Sequence, residues 1–369
     1  MAFAGAGCNF IGPFLPSISA TWRIHDRQAG LLLACLFFGS FLGTLLLGNN
    51  LTRTLRIGAF GSSSGLLLLA TMANQTAGFA GGIVGLTIMG FGLGQLMSSI
   101  NLIVGASSIW ERSRNLANIG VAWCVGAMLS PLLTTVLIPH LSPVIRLGIF
   151  APTYLLPMVL SNGLEIPKFA TEPAGRLEVR VVGNPWRPAL SWILVFLIYG
   201  GIEASIGGWI SSFAVRYHME DIGMAQWMMS LFWSGLIIGR LITARFVKPS
   251  REVMMVRLAI FSSVCSLSYL VMAHSPVTLS VGIAITGACL SPLFPLLLSM
   301  TIECKLSSRL MGGILAASGL GAALLPSLLG VISSASSLRT AMLVPLLGLI
   351  SLALLRWRHR SNPQFVRLL

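Results

Sequence analysis

The chain has 369 residues, of which 55% are apolar and only 9% charged, far from the usage of a soluble domain. A formal net charge of +14 would suggest nucleic acid as a partner in a soluble protein, but here the basic residues occupy short segments between apolar runs, so nucleic-acid binding is excluded. This is the composition of a polytopic membrane protein.

An apolar run needs about 20 residues to cross a hydrocarbon core of about 30 Å, and in lipid its backbone must satisfy itself as helix. Twelve runs meet that requirement. In the first half they are 1–21 (with Asn9), 29–48, 56–74, 78–107 (with Gln95 and Asn101), 117–139 (with Trp123) and 144–162. A polar, proline-containing interval, 163–187, reads as a cytoplasmic linker, too short to be a domain. The second half holds 188–215 (with Tyr199, Glu203 and Trp209), 223–243 (with Gln226, Trp227 and Trp233), 253–273, 276–302, 310–332 and 338–355. The predicted organisation is therefore an N-terminal bundle, 1–162, the linker, a C-terminal bundle, 188–357, and a cytoplasmic tail, 358–369. The first run lacks a basic n-region and a small-residue cleavage site, so it reads as a span and not as a secretory signal.

Alternating helices put Arg53, Arg56, Arg112, Arg114, the linker, Arg240, Arg245, Lys248 and the tail arginines on one side, and Arg23, Arg27, Arg146, Arg216 and Arg339 on the other. Positive charge collects in the cytoplasm, so both termini are expected there. The six cysteines fall in or at the ends of apolar runs without metal-like spacing and read as packing residues; no histidine lies mid-span. No cofactor is expected.

Three landmarks recur about 191 to 195 residues apart: Gly48, Thr52 and Arg53 against Gly239, Thr243 and Arg245; Glu111 with Arg112 and Arg114 against Glu303 with Lys305 and Arg309; and "GAMLSPLL" (126–133) against "GAALLPSLLG" (321–330). Two six-helix halves related by parallel duplication follow. With that repeat, the central linker and "SGLIIGRLITARF" (234–246), the chain resembles the major facilitator superfamily over nearly its whole length. In the first-half version, "GTLLLGNNLTRTLRIG" (43–58), Thr52 stands where the family pattern usually has an aspartate. "YGGIEASIGGW" (199–209) and "NIGVAWCVGAMLSPLL" (118–133) look most like the fucose and glucose/galactose permease branch and the sodium-dependent glucose transporter-like proteins near it. That resemblance implies an all-α fold of 12 transmembrane helices in two halves, moving a monosaccharide with a proton or sodium ion. Where fucose permease-type proteins carry acids in the first and fourth helices, this chain offers Asn9, Gln95 and Asn101.

Of the ten acids, only Glu203 falls mid-membrane. A carboxylate at that depth costs at least about 2.5 to 3.5 kcal/mol if ionised, so it faces the bundle interior with a partner or a task. It is either a permanently protonated acid bonded to a neighbouring helix or a ligand for substrate or cation, and the second is expected. Tyr199, Gly200, Ile206 and Gly207 share its helical face, and the Gly207–Gly208 pair either loosens the helix, turning Trp209 toward the cavity, or packs against another helix. Sugar recognition needs amides for hydroxyls and aromatic faces for the ring. Asn9, Gln95, Asn101, Trp123, Tyr199, Glu203, Trp209, Gln226 and Trp233 are the candidates, with Trp227 beside them; Trp22, Trp110, Trp186 and Trp357 near run ends read as interface anchors.

The family plan also implies cytoplasmic gates, Arg240 with Glu303 and Arg53 or Arg56 with Glu111, with Arg114, Gly239 and Arg309 beside them. The sequence shows no nucleophile–base pair, metal set or ATP-binding loop, so the protein is not read as an enzyme or an ATP-driven pump. The expected protein is a monomeric secondary transporter for a small polar solute in the bilayer of a bacterial inner membrane, driven by H+ or Na+. The alternative is an exporter of amphipathic or cationic compounds.

Overall fold

The structure is a computed structural model that describes residues 1–9, 11–48, 50–73, 75, 78–105, 109–132, 143–160, 186–217, 222–246, 252–304 and 308–358. Of the predicted linker 163–187 and tail 358–369, residues 163–185 and 359–369 lie outside these residues, while Trp186 and Arg187 belong to α9 and Arg358 to α16. Among the described residues every regular element is a helix: α1 (Ala2–Asn9), α2 (Ile11–Trp22), α3 (Asp26–Leu45), α4 (Leu51–Met72), α5 (Phe79–Gly105), α6 (Ile109–Leu132), α7 (Pro143–Phe150), a 3-10 turn (Pro152–Leu155), α8 (Leu156–Leu160), α9 (Trp186–Tyr217), α10 (Ile222–Phe246), α11 (Glu252–Val271), α12 (Pro276–Leu290), α13 (Leu293–Glu303), α14 (Ser308–Ala335), α15 (Leu338–Ala341) and α16 (Leu343–Arg358). Eight of these stretches are long and apolar enough to cross a membrane, joined by shorter apolar helices within 118–130, 147–160 and 227–243.

Among the described residues each of the twelve predicted runs holds helix, and two of the runs that appear in pieces have a local cause. The sixth breaks around Pro152 and the tenth at Ser291 and Pro292, because proline has no N–H for the helical ladder. At the second break the Ser291 hydroxyl donates to the Leu236 carbonyl oxygen at 2.6 Å, which ties the bend to α10. Helix starts carry side-chain caps, as at Asn50, which accepts from the Arg53 N–H, and Ser275, which exchanges bonds with Thr278.

Within each half the helices meet through glycine. Lipid tails are as apolar as leucine, so membrane helices gain from close backbone approach more than from hydrophobic burial. In the first half Gly39 and Gly43 of α3 abut the Thr87 and Phe91 carbonyls of α5. In the second, Gly200 and Gly201 of α9 face Ser318 and Gly321 of α14. Trp22 belongs to this interior: it is 5% exposed and its indole N–H donates to the Met72 carbonyl at 3.3 Å, so it is a core residue and not an interface anchor.

Three contacts join the halves: α2 with α9 and α10, α3 with α14, and α6 with α10. The α3–α14 seam is antiparallel. Asp26 meets Ser333, Gly30 meets Pro326 and Ser327, and Phe41 meets Gly319, so the register holds over most of α3. At α2–α9 the approach is tightest at Gly12, where an added methyl would stand 2.6 Å from the Gly207 carbonyl oxygen. Of the two readings of Gly207 and Gly208, close packing is the one seen: α9 runs unbroken through both.

Candidate functional site

Glu203 sits midway along α9 and is partly buried. Tyr199, one turn earlier on the same face, is fully buried and donates its hydroxyl proton to Glu203 Oε2 at 2.6 Å. Arg240 of α10 enters the same region. Its guanidinium lies beside Tyr199 and within electrostatic reach of Glu203 and Cys124. Cys8 of α1 and Cys124 of α6, both buried, lie within electrostatic reach of the carboxyl from the opposite half. One acid, one phenol, one guanidinium and two thiols, drawn from both halves, thus form the polar centre of the bundle.

Arg240 is held there by α6. Its Nη1 donates to the Gly120 carbonyl oxygen and to Cys124 Sγ, each at 2.8 Å, and its Nε is buried without a partner. The same α6–α10 contact carries Ser230, donating to the Met128 carbonyl at 3.0 Å, and Ser234, directed at Met128 Sδ. Sequence reasoning paired Arg240 with Glu303, whose side chain lies outside the described residues; the hydrogen bonds Arg240 makes among the described residues run across to α6. The physical reason is helical phase: Gly239 packs α10 onto Ala288 and Ser291 of its own half, which turns the next residue toward the other half.

The remaining candidates divide. Trp233, seven residues before Arg240 and so on the same face of α10, is 3% exposed, faces Gly207 and leaves its indole N–H without a partner. Trp123 and Asn101 are half-buried, and Asn9 bonds back to the Gly5 carbonyl at 2.9 Å. Two expectations are corrected. Trp209 does not face a cavity: it is 1% exposed and donates to the Pro326 carbonyl of α14 at 3.1 Å. Gln95 is buried among α3, α4 and α5, and its amide donates to the Leu46 carbonyl at 3.4 Å, tying helices within one half. Gln226, Glu111, Arg114 and Arg309 lie in helices, with side chains outside the described residues. Arg53 is exposed and Arg56 half-buried; Trp227 is exposed.

A second polar cluster, absent from the sequence-based candidates, joins the halves at the bundle end that carries Asp26. Arg216 of α9 grips Asp26 of α3 with both guanidinium nitrogens, Nη1 reaching Oδ2 at 2.6 Å, and Ser333 of α14 donates to the same carboxylate. The Arg27 backbone N–H adds a bond to Ser334 Oγ at 2.9 Å. The carboxylate side chain is 15% exposed and the guanidinium 43%. The only hint in the sequence was that spans two and seven place Asp26 and Arg216 on one side; their pairing required knowing that α3, α9 and α14 converge.

The fold has solved counterparts. A variant of the E. coli fucose:proton symporter FucP superposes with a TM-score of 0.67 at 19% identity, covering 98% of this chain and 97% of that one. The xylose transporter XylE from E. coli, in a partially occluded inward-open conformation, gives 0.76 at 11% identity over 98% and 96%. A variant of the nucleoside transporter NupG gives 0.69 at 14% identity over 97% and 98%. No curated protein sequence matches the chain. The sequence profile of the Major Facilitator Superfamily matches residues 1–304, and with twelve spans in two halves around a shared polar centre, the chain belongs to that superfamily.

Proposed function

We propose that this transporter moves a small polar solute of monosaccharide size by alternating access, coupled to a proton that binds Glu203. The observation that carries the reading is the Tyr199–Glu203 hydrogen bond at the junction of the halves, with Arg240 in electrostatic reach. A carboxyl at that depth needs a partner or a task, and the phenol supplies a hydrogen bond to it. The phenol already occupies one carboxylate oxygen that a metal cation would need, which favours a proton over sodium. The Arg240 guanidinium repels a cationic drug, so the exporter alternative is disfavoured. The sugar-transporting neighbours FucP and XylE support the size class of the solute.

On this reading the basic Arg53 end faces the cytoplasm of a bacterial inner membrane, the Asp26 end faces outward, the two bundles are 1–162 and 188–357, and the transporter works as a monomer. The tie between Asp26, Arg216 and Ser333 then holds the outer side closed.

The test is uptake into proteoliposomes of radiolabelled monosaccharides and monosaccharide acids, under an imposed proton or sodium gradient, for the wild type and Glu203→Gln. Gradient-driven accumulation that is lost in the variant while solute exchange persists is the expected result. Sodium-driven accumulation would overturn the assignment of the coupling ion, and no flux of any of these solutes would overturn the reading.

A further inference from the structure

Resting on the reading that the Asp26 end of the bundle opens during transport, we infer that a groove at this end binds the head group of an anionic phospholipid through Arg27, and that the bound lipid holds the end closed. The groove, about 1090 Å³ in volume, lies at the Asp26 end of the α3–α14 seam. Arg27, Gln28 and Leu31 of α3 line it from one half and Ser327, Val331 and Ser334 of α14 from the other, with Arg216 of α9 beside them.

Its walls change character along the helices. Arg27 and Ser334 stand in the first turn of α3 and the last turn of α14, and both are exposed. Leu31 and Val331, also exposed, follow about 6 and 4.5 Å deeper along the two axes. The bilayer makes the same change over a similar distance, since each head-group layer is about 5 to 8 Å thick. The polar end therefore falls among head groups and the apolar end among acyl chains. Deeper still, Phe38 of α3 and Leu324 and Leu328 of α14 continue the same two faces at helical spacing and are exposed, a rail for an acyl chain of about another 10 Å.

Charge at the polar end is unbalanced in one direction. The Asp26 carboxylate is taken up by Arg216 and Ser333. Arg27, next to it, gives its backbone N–H to Ser334 across the seam, while its guanidinium has no hydrogen bond or ion pair among the described residues. Arg23, in the turn before α3, is exposed and equally unpaired there. Gln28 accepts from the His25 N–H with its side-chain oxygen, which leaves its amide hydrogens to donate. Two free guanidiniums and an amide donor suit a phosphodiester anion, whereas a zwitterionic head group brings an ammonium that they repel. Positive charge on this side also works against the asymmetry that orients the chain, so topology does not account for these arginines.

The groove exists only while the halves meet. One wall is α3 and the other α14, with the Arg27–Ser334 bond between them. Parting the helices removes a wall, so a lipid seated here binds the closed arrangement better and shifts the population toward it.

The experiment measures phosphatidylglycerol and phosphatidylcholine adducts on the purified, delipidated protein by native mass spectrometry, for the wild type, Arg27→Gln and Arg27→Lys. One cation beside an anionic head group strengthens binding about fivefold. Phosphatidylglycerol should bind more tightly than phosphatidylcholine, lose about fivefold in Arg27→Gln and keep most of its affinity in Arg27→Lys, with phosphatidylcholine unchanged throughout. Both substitutions sit on an exposed side chain and keep the backbone bond to Ser334. For the closing role, Leu33, buried against Gly208, is replaced by Cys and labelled with maleimide in nanodiscs of phosphatidylcholine alone or of equal parts phosphatidylcholine and phosphatidylglycerol. Labelling should be slower with phosphatidylglycerol, and Arg27→Gln should abolish the difference. Equal binding of the two lipids, a preference that survives Arg27→Gln, or displacement of the lipid by an equal concentration of glycerol phosphate would overturn the inference. Labelling that responds to Asp26→Asn but not to lipid would overturn the closing role, and labelling that responds to neither would overturn the reading that this end opens.

Discussion

Replacing Asp26 by Asn tests whether the tie at its end of the bundle sets the balance between conformations. The change keeps the side-chain shape and one oxygen acceptor but removes the charge that Arg216 grips with two nitrogens. Hydrogen bonds to charged groups contribute about 1.5 to 3 kcal/mol each, and exposed ion pairs far less. With the guanidinium 43% exposed and the carboxylate 15%, the pair falls between these limits, at about 1 to 2 kcal/mol. The closed arrangement then loses about 5- to 30-fold in population relative to one with α3 and α9 parted. Leu33 reports on this: it is 0% exposed and packs against Gly208 beneath the tie. In a Leu33→Cys background the maleimide labelling rate of the purified protein should rise by that factor on adding Asp26→Asn. Reversing the pair, Asp26→Arg with Arg216→Asp, should bring it back. A labelling rate that stays within about twofold of the parent would refute the argument, and would mean that the glycine packing of the α3–α14 seam holds this end shut without the ion pair.

Other outcomes follow from the same geometry. Gly12→Val should abolish uptake, with the protein still folded by circular dichroism, because its side chain meets the Gly207 backbone across the halves and that backbone cannot yield; normal uptake would show that α2 and α9 do not need this approach. Trp209→Phe removes the donor to the Pro326 carbonyl while keeping most of the ring, and should lower the melting temperature by the equivalent of about 1 kcal/mol with driven uptake retained. Loss of uptake without a melting shift would return Trp209 to the substrate path. Gln95→Leu should behave alike, since its amide ties α5 to the end of α3, and a specific rise in solute KM would instead make Gln95 a binding residue.

Much of the architecture was legible in the chain because the bilayer imposes it. Span length and the need for a self-satisfied backbone fix where helices lie, and each of the twelve predicted runs holds helix among the described residues. The repeat landmarks, read as spacing alone, gave the two halves. Glu203 stood out for a similarly general reason, since an acid among apolar residues needs a role whatever the fold. Side-chain direction was a different matter. Arg240, Trp209 and Gln95 each lie in a span that sequence identified correctly, yet their partners are in other helices: Gly120 and Cys124, Pro326, and Leu46. Apolar spans with glycine distributed around them show no single polar face from which to read rotation.

The sequence by itself determined a twelve-span membrane protein with one acid at its middle, because hydrophobic thickness and the expense of buried charge act on the chain before any helix meets another. Only the tertiary structure decided that Arg240 bonds across to Gly120 and Cys124 and that Asp26 is held by Arg216 and Ser333. Those choices depend on which glycines meet which backbones, as at Gly239 on Ala288 and Gly30 on Pro326, and close packing of this kind fixes the rotation of a helix only when its neighbour is in place.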